Sequence, residues 1–238
     1  DIAPRLKRGM ENGRSPSRDN QPDLFAILYP LFPTILQVAE LYERTGYVYV
    51  RIGEYHRAHK PYMEALNLIN QLNEEKERWN AEEKHFPIPN WQLSTTIVRL
   101  HRHIANLQEQ MANYDMAFDW LERGMSLVMS ESQGELARCY LVGSRLYYNQ
   151  GEFDKCLEWA QQGRAVAESI GNTIDQAHAS LLMGILWRDR GAFDLSIPAL
   201  EQARTLLDLM KDASHLSDAL RNLGDAYFCV GRWQDTAK

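Results

Sequence analysis

Long apolar runs are missing from this sequence. The longest stretch without a charged residue covers 24–39, which is shorter than the ~20 residues that a membrane helix needs, and Pro30 and Pro33 interrupt it. We therefore predict no transmembrane helix and interpret the stretch as a short buried helix. A docking patch for a partner is the alternative.

Cysteine and basic charge are also scarce. The three cysteines, Cys139, Cys156 and Cys229, follow neither a CxxC nor a metal-binding spacing. Such a sparse, odd set is typical of a reducing compartment, so we expect a cytoplasmic protein in which these thiols are core or neutral residues. No secretory signal is visible. The net charge of −6 argues against a domain devoted to nucleic acid.

Motifs that carry chemistry are absent as well. The sequence has no GxxxxGK[S/T] phosphate loop, no GxGxxG fingerprint and no GxSxG nucleophile elbow. His101 and His103 are two apart and point to different sides of a predicted helix, whereas His56 and His59 lack a third ligand nearby. The carboxylates clustered in 74–83 are typical of a solvated helix. We predict no enzyme, no cofactor and no metal site.

What the sequence does contain is an internal repeat. A small residue, any residue, an aromatic and, three further on, another small residue recur in five segments. Their first residues lie 59, 39, 40 and 40 positions apart; they are Gly53, Ala112, Gly151, Gly191 and Gly231. A small residue stands seven before each of these positions. A ring stands four before each, except for Gln108. This regularity predicts a helix, a turn and a second helix in every repeat.

The residue types at the turn fit this prediction. Glycine ends a helix readily because it adopts positive φ without a steric penalty. The Glu or Asn that follows favours the start of the second helix. Small residues at fixed offsets allow helices to approach closely, so we place Gly184 and Gly224 at helix contacts. Helical hairpins repeated in this way form an α-solenoid.

The pattern resembles the tetratricopeptide repeat over about residues 36–238. The period of 40 exceeds the usual length of about 34, and the proline that commonly ends the repeat is missing. Longer-period repeats of this kind are similar to those of bacterial multidomain signalling proteins and animal polarity adaptors. The resemblance implies an all-α, right-handed superhelix of about five helical hairpins, the last one truncated.

We divide the chain into a polar tail or linker (1–22) and a solenoid (23–238). The repeats are expected at about 36–80, 91–131, 133–171, 173–211 and 213–238, with an insertion at about 73–90. The insertion should hold the end of a long helix and a rigid loop at 85–90, as a spacer or a partner-specific element. Since the chain begins at Asp1 and stops where a helix should begin, we expect a longer protein. The terminal face of Leu220, Leu223 and Tyr227 should then be partly uncovered.

A stripe on the first helix of each hairpin carries the functional prediction. In the tetratricopeptide family ligands usually lie there, and the stripe falls thirteen, ten, six and three residues before each turn. In the last four repeats six of its sixteen positions are Arg, from 19 Arg in the whole chain. Arginine suits forked recognition of carboxylates. The predicted partner-binding residues are Arg99, Arg102, Asn106, Arg138, Arg145, Tyr148, Arg188 and Arg221.

The predicted function is a protein-interaction scaffold whose groove binds an acidic peptide or helix, and neither nucleic acid nor membrane. Glu40 and Glu43 should repel such a ligand and mark one end of the site. Alternatively, the arginines pair with acids of neighbouring repeats such as Asp218 and Asp225. Two further alternatives concern the role: a sensor arm of a larger signalling enzyme (a STAND-type NTPase or a nucleotide cyclase), or self-association through the open C-terminal repeat.

Overall fold

The computed structural model describes residues 31–82 and 84–232 of the chain. These ranges hold nine α-helices, one 3-10 helix (Ser130–Ser132) and no strand, which confirms the all-α prediction. The α-helices are α1 (Leu31–Arg51), α2 (Tyr55–Ala81), α3 (Asn90–Gln110), α4 (Tyr114–Met125), α5 (Gln133–Asn149), α6 (Phe153–Ser169), α7 (Thr173–Asp189), α8 (Phe193–Leu209) and α9 (Ala213–Cys229). The predicted tail 1–22 and the last predicted helix lie outside the described residues. No described helix is both long and apolar enough to cross a bilayer.

The helices pair into hairpins that stack side by side. Helices α1 and α2, α3 and α4, α5 and α6, and α7 and α8 pack against each other, and α9 follows. Each first helix also contacts the first helix of the next hairpin, along the series α1, α3, α5, α7 and α9. Within the described residues the backbones of the second helices lie farther apart from one another, although the rings of Phe118 on α4 and Trp159 on α6 meet edge to face. We call the surface formed by the first helices the inner wall.

All five turn positions have the predicted backbone conformation. Gly53, Gly151, Gly191 and Gly231 have φ between 72° and 78°, and Ala112 has φ 59°. At each turn the next backbone N–H donates a 2.9 Å hydrogen bond to the carbonyl of the residue four before the turn, as Glu152 does to Tyr147. This closure satisfies a carbonyl that the helix end would leave unpaired.

The residues after the turns begin the second helices, as predicted, but they do so without side-chain caps. Glu54, Asn113 and Glu152 occupy the N-cap positions, and none of their side chains accepts a capping hydrogen bond. The backbone hydrogen bonds described above already hold these turns. Capping side chains occur instead where first helices begin: Asn172 accepts from the N–H of Asp175 and Asp212 from that of His215.

Small residues mark the closest approaches between helices. A Cβ added at Gly184 would lie 2.7 Å from the side chain of Leu200, which confirms the predicted contact. Gly46 meets the ring of Tyr62 at the same distance. Gly224 differs, because an added Cβ would meet no described atom within 4 Å. The contact at Gly184 involves a residue sixteen positions later, and the corresponding position after Gly224 would be 240, which exceeds the 238 residues of the sequence.

The segment after the first hairpin is packed into the core. Helix α2 continues to Ala81, and the loop that follows folds back on it. The rings of Phe32, Trp79 and Phe86 contact one another at centroid distances of 4.7–5.8 Å. Ile88 is buried beside them. The carboxylate-rich end of α2, interpreted from the sequence as a solvated helix, therefore also has a buried side, where Trp79 packs against the loop.

The end of the described solenoid is more covered than expected. Leu223 and Tyr227 are buried against Leu200, Ala203 and Leu207 of α8. Only Leu220 of the expected terminal face is exposed. The preceding hairpin supplies part of this cover.

Candidate binding groove on the inner wall

A groove of about 530 Å³ runs along α3, α5, α7 and α9. Apolar side chains, among them Leu141 and Ile185, form part of its wall. It brings together five of the eight predicted partner-binding residues: Arg102, Asn106, Arg138, Arg145 and Arg221. Arg99 lines a separate cavity with Glu40 and Glu43, while Tyr148 and Arg188 lie outside both cavities.

The arginines of this stripe pair with carboxylates of neighbouring repeats. The guanidinium of Arg145 donates from Nε to Glu109 of the preceding hairpin at 3.0 Å. In the same way Arg138 reaches forward to Asp175, with Nε 3.2 Å from Oδ2. We call this series the ion-pair ladder; its pairs are Arg99–Glu43, Arg102–Glu135, Arg138–Asp175, Arg145–Glu109 and Arg188–Asp225.

The acids of the ladder are mostly not those expected. Asp225 does contact Arg188, at 3.4 Å, but Asp218 pairs with Arg221 of its own helix. The buried carboxylates of Glu135 and Asp175 were missed. Both stand sixteen residues before a turn, so extending the predicted stripe by one helical turn would have found them.

Tyr148 and Arg188 serve the contact between α5, α7 and α9. The hydroxyl of Tyr148 donates to Asp189, and burial together with that hydrogen bond raises the pKa of Tyr148 to about 12. The guanidinium of Arg188 contacts Asp189 and also reaches Asn222 on α9. Both side chains therefore join repeats rather than line the groove.

Glu43 does not present a repelling charge, contrary to expectation. Its carboxylate is buried and accepts two hydrogen bonds from Arg99, at 2.6 and 2.9 Å. His103 lies 3.3 Å from the same carboxylate. Burial alone would raise the pKa of Glu43, but the hydrogen bonds from His103 and Arg99 outweigh it and lower the pKa to about 2. Its negative charge is therefore compensated within the protein.

This environment predicts a defined acid sensitivity. Because the pKa of Glu43 falls from 4.5 to about 2, its ionised form stabilises the fold above about pH 4.5, and this stability is lost as the pH falls towards 2. Glu43→Gln should therefore be less stable than the parent near pH 6, with the difference shrinking in acid. Urea unfolding followed by circular dichroism, at several pH values from about 6 towards 2, measures the stability of the parent and of Glu43→Gln.

Glu54→Gln is the matched control, because Glu54 belongs to an exposed pair with Arg57. Exposed pairs contribute little, so this variant should track the parent at every pH. A stability difference for Glu43→Gln that stayed constant from neutral pH to acid would contradict the assigned role.

The lining of the groove has more arginines than acids, although the ladder carboxylates of Glu109 and Glu135 lie behind it. Its lining includes four arginines and the two aspartates Asp175 and Asp218. The side chains of Arg138 and Arg145 are each 41% exposed, and that of Arg221 is 65% exposed. Buried Glu135 holds Arg102 from behind at 2.9 Å. Carboxylates behind the guanidiniums thus fix their positions while leaving part of each accessible.

Comparison with known proteins identifies the architecture. No family model matches the sequence, and neither does any curated protein. Among solved structures, BtubC (BKLC) from P. vanneervenii is 14% identical with a TM-score of 0.65, covering 89% of this chain and 80% of its own. A STAND signal-transduction ATPase from Pyrococcus horikoshii with a tetratricopeptide repeat sensor has a TM-score of 0.61 at 11% identity over 90% of this chain. The chain has the tetratricopeptide-repeat fold.

A third tetratricopeptide-like neighbour is aspartyl phosphate phosphatase F from Bacillus subtilis, with a TM-score of 0.64 and 12% identity over 93% of this chain. The match spans 55% of that protein and 32% of the STAND ATPase. The predicted fold class and the resemblance on which it rested are therefore confirmed. At these identities the similarity concerns the fold.

Proposed function

We propose that this tetratricopeptide solenoid is a protein-interaction scaffold whose inner-wall groove binds an acidic peptide segment. The observation that carries the proposal is the convergence of Arg102, Arg138, Arg145 and Arg221, from three helices, on one groove. A guanidinium has five N–H donors, and the pairs of the ladder occupy only some of them. The remaining edges can take the carboxylates of a ligand in forked geometry.

The ladder supports this role rather than cancelling it. A guanidinium held on one side by a carboxylate, as Arg145 is by Glu109, loses little side-chain freedom when a ligand arrives, which favours binding. The apolar wall offers Leu141, Leu181 and Ile185 to nonpolar side chains of the peptide. Since the net charge of the groove lining is small, we expect affinity to come from both contacts and to fall moderately with salt.

Substitution of two partly exposed groove arginines tests the proposal. Arg221→Gln removes a positive charge, whereas Arg145→Lys keeps the charge but removes the forked N–H donors of the guanidinium. Each should weaken the binding of a short fluorescent Glu-rich peptide by about 5–30-fold, equivalent to about 1–2 kcal/mol. Fluorescence anisotropy at several salt concentrations measures the loss. The same peptide with Gln in place of Glu should bind the parent weakly.

Arg164→Gln is the control, because Arg164 lies on the second helix α6, where it pairs with exposed Glu168. It should bind like the parent. Two results would contradict an acid-binding groove. One is that Arg221→Gln binds the Glu-rich peptide as tightly as the parent does. The other is that the parent binds the Gln peptide as tightly as the Glu-rich peptide.

A second candidate is the sensor arm of a signalling enzyme, favoured by the sensor of the STAND protein. In that case the groove binds its ligand as proposed, and the chemistry lies in other domains. In either case we propose that the described residues bind a partner rather than catalyse a reaction, and that the protein is cytoplasmic.

Self-association through exposed Leu220 and Phe228 of α9 is the competing proposal. Light scattering that shows a concentration-independent monomer would exclude it.

A further inference from the structure

Two histidines and one aspartate meet where α7 packs on α9. Nε2 of His178 lies 3.1 Å from Oδ2 of Asp212, and Nδ1 of His215 lies 2.8 Å from the same oxygen. The two imidazole centroids are only 4.0 Å apart. One potential ligand atom from each of the three residues lies within 4.8 Å of the other two.

This cluster interrupts the ion-pair ladder. Residues 37 positions apart form the contact between successive first helices, and one step earlier they are Arg138 and Asp175. At the equivalent positions the next step has His178 and His215. An arginine–carboxylate pair neutralises itself, whereas two neutral imidazoles beside a carboxylate present three lone pairs in one place. The substitution thus replaces an ion pair by a set of metal ligands.

We propose that His178, Asp212 and His215 bind a divalent transition-metal ion, with Zn²⁺ as the best match. Imidazole nitrogen and carboxylate oxygen are ligands that Zn²⁺ prefers, at about 2.0–2.2 Å in tetrahedral geometry. Such a geometry places ligand atoms about 3.3–3.5 Å apart. The two observed distances to Asp212 are shorter than that value because both imidazoles hydrogen-bond to its carboxylate, so the side chains must rotate to admit the ion.

The surroundings favour a metal at this position. Nδ1 of His178 points towards the buried carboxylate of Asp175, at 3.9 Å, and Nε2 faces the cluster. A carboxylate behind a ligating imidazole is the usual outer partner in zinc sites, because it fixes the ring orientation. Asp212 is held by the backbone N–H of His215 at 3.2 Å. Three protein ligands leave a fourth position for water, and both histidines line the groove.

The bound ion would join two consecutive repeats. His178 belongs to α7, whereas Asp212 and His215 belong to the N-terminus of α9. Coordination would therefore fasten the last described helix to the hairpin before it. This inference does not depend on the acidic peptide, since Zn²⁺ alone is the ligand.

Calorimetric titration of the untagged chain with Zn²⁺ tests the site. We expect one ion per chain in the parent and no binding in the double variant His178→Ala/His215→Ala. Asp212→Asn keeps a capping residue at the start of α9 and should weaken binding at least about 10-fold. Saturating Zn²⁺ should raise the melting temperature of the parent by about 5 °C and leave that of the double variant unchanged.

His56→Ala/His59→Ala is the matched control, because it removes two exposed histidines far along the chain. It should retain full binding. Co²⁺ in place of Zn²⁺ should give the parent the visible absorption of a tetrahedral nitrogen–oxygen site. This measurement uses the parent alone and does not depend on whether a variant folds. The proposal is overturned if the parent binds no Zn²⁺, or if the double variant binds it as well as the parent.

Discussion

Replacing Gly143 with alanine is expected to lower the free energy of unfolding by about 1–3 kcal/mol. The added Cβ would overlap the six-membered ring of Trp159 on α6. That ring cannot move aside easily, because Phe118, Tyr140 and Tyr147 surround it in edge-to-face contacts. Glycine at this position therefore sets the distance between α5 and α6.

Gly134→Ala provides the comparison within the same helix. An alanine there would meet only Ile170, at 3.8 Å, which is ordinary van der Waals contact. Alanine gains helix propensity of up to about 1 kcal/mol over glycine in a helix interior, so a loss of stability at Gly143 has to come from the collision. Urea unfolding followed by circular dichroism and by tryptophan fluorescence measures the two variants. If Gly143→Ala proved as stable as Gly134→Ala, the close packing of α5 on α6 would be wrong.

Removing the buried carboxylate of Glu135 should cost about 3–5 kcal/mol. Glu135 is only 4% exposed and lies 2.9 Å from Arg102 and 2.8 Å from Arg138. Burial raises the pKa of this carboxyl, but the two guanidiniums outweigh that effect and hold the pKa below its ordinary value. Glu135→Gln would leave the guanidinium of Arg102, itself largely buried, without its counter-charge.

A double variant without either charge separates this effect from general damage to the fold. Arg102→Met combined with Glu135→Leu removes both charges and should recover most of the lost stability, since an apolar pair has no charge to compensate. Glu152→Gln, which disrupts only the exposed pair with Lys155, should change stability by less than about 1 kcal/mol. A double variant no more stable than Glu135→Gln would show that the site needs the ion pair itself.

The sequence predicts the helices and their turns because these depend on local chemistry. A residue at positive φ ends each first helix, and glycine at Gly151 or Gly191 reports that requirement directly. Even Ala112, with φ 59°, was found from the spacing of its neighbours. Glu54 and Glu152 do stand at the N-cap positions, but their carboxylates pair with Arg57 and Lys155 instead of accepting a hydrogen bond from the first turn.

The chemistry of the inner wall is harder to read from the sequence. The stripe located Arg138 and Arg145 correctly, since helical spacing fixes one face. Their partners lie 36–37 residues away, so finding them requires aligning one repeat on the next and not only counting along one helix. The histidine cluster was missed for the same reason, because His178 is separated from His215 by 37 positions and no short motif joins them.

The unequal fastening of the two sides of the solenoid determines how it can deform. Ion pairs join each first helix to the next along the inner wall, whereas the described second helices share no ion pair, and the contact of Phe118 with Trp159 is a ring contact. Spreading the outer helices breaks no such pair, while lengthening the inner edge breaks several. The inner wall should therefore resist extension more strongly than the outer side of the solenoid. The molecule can change its curvature by fanning the outer helices while the spacing of the groove arginines stays constant.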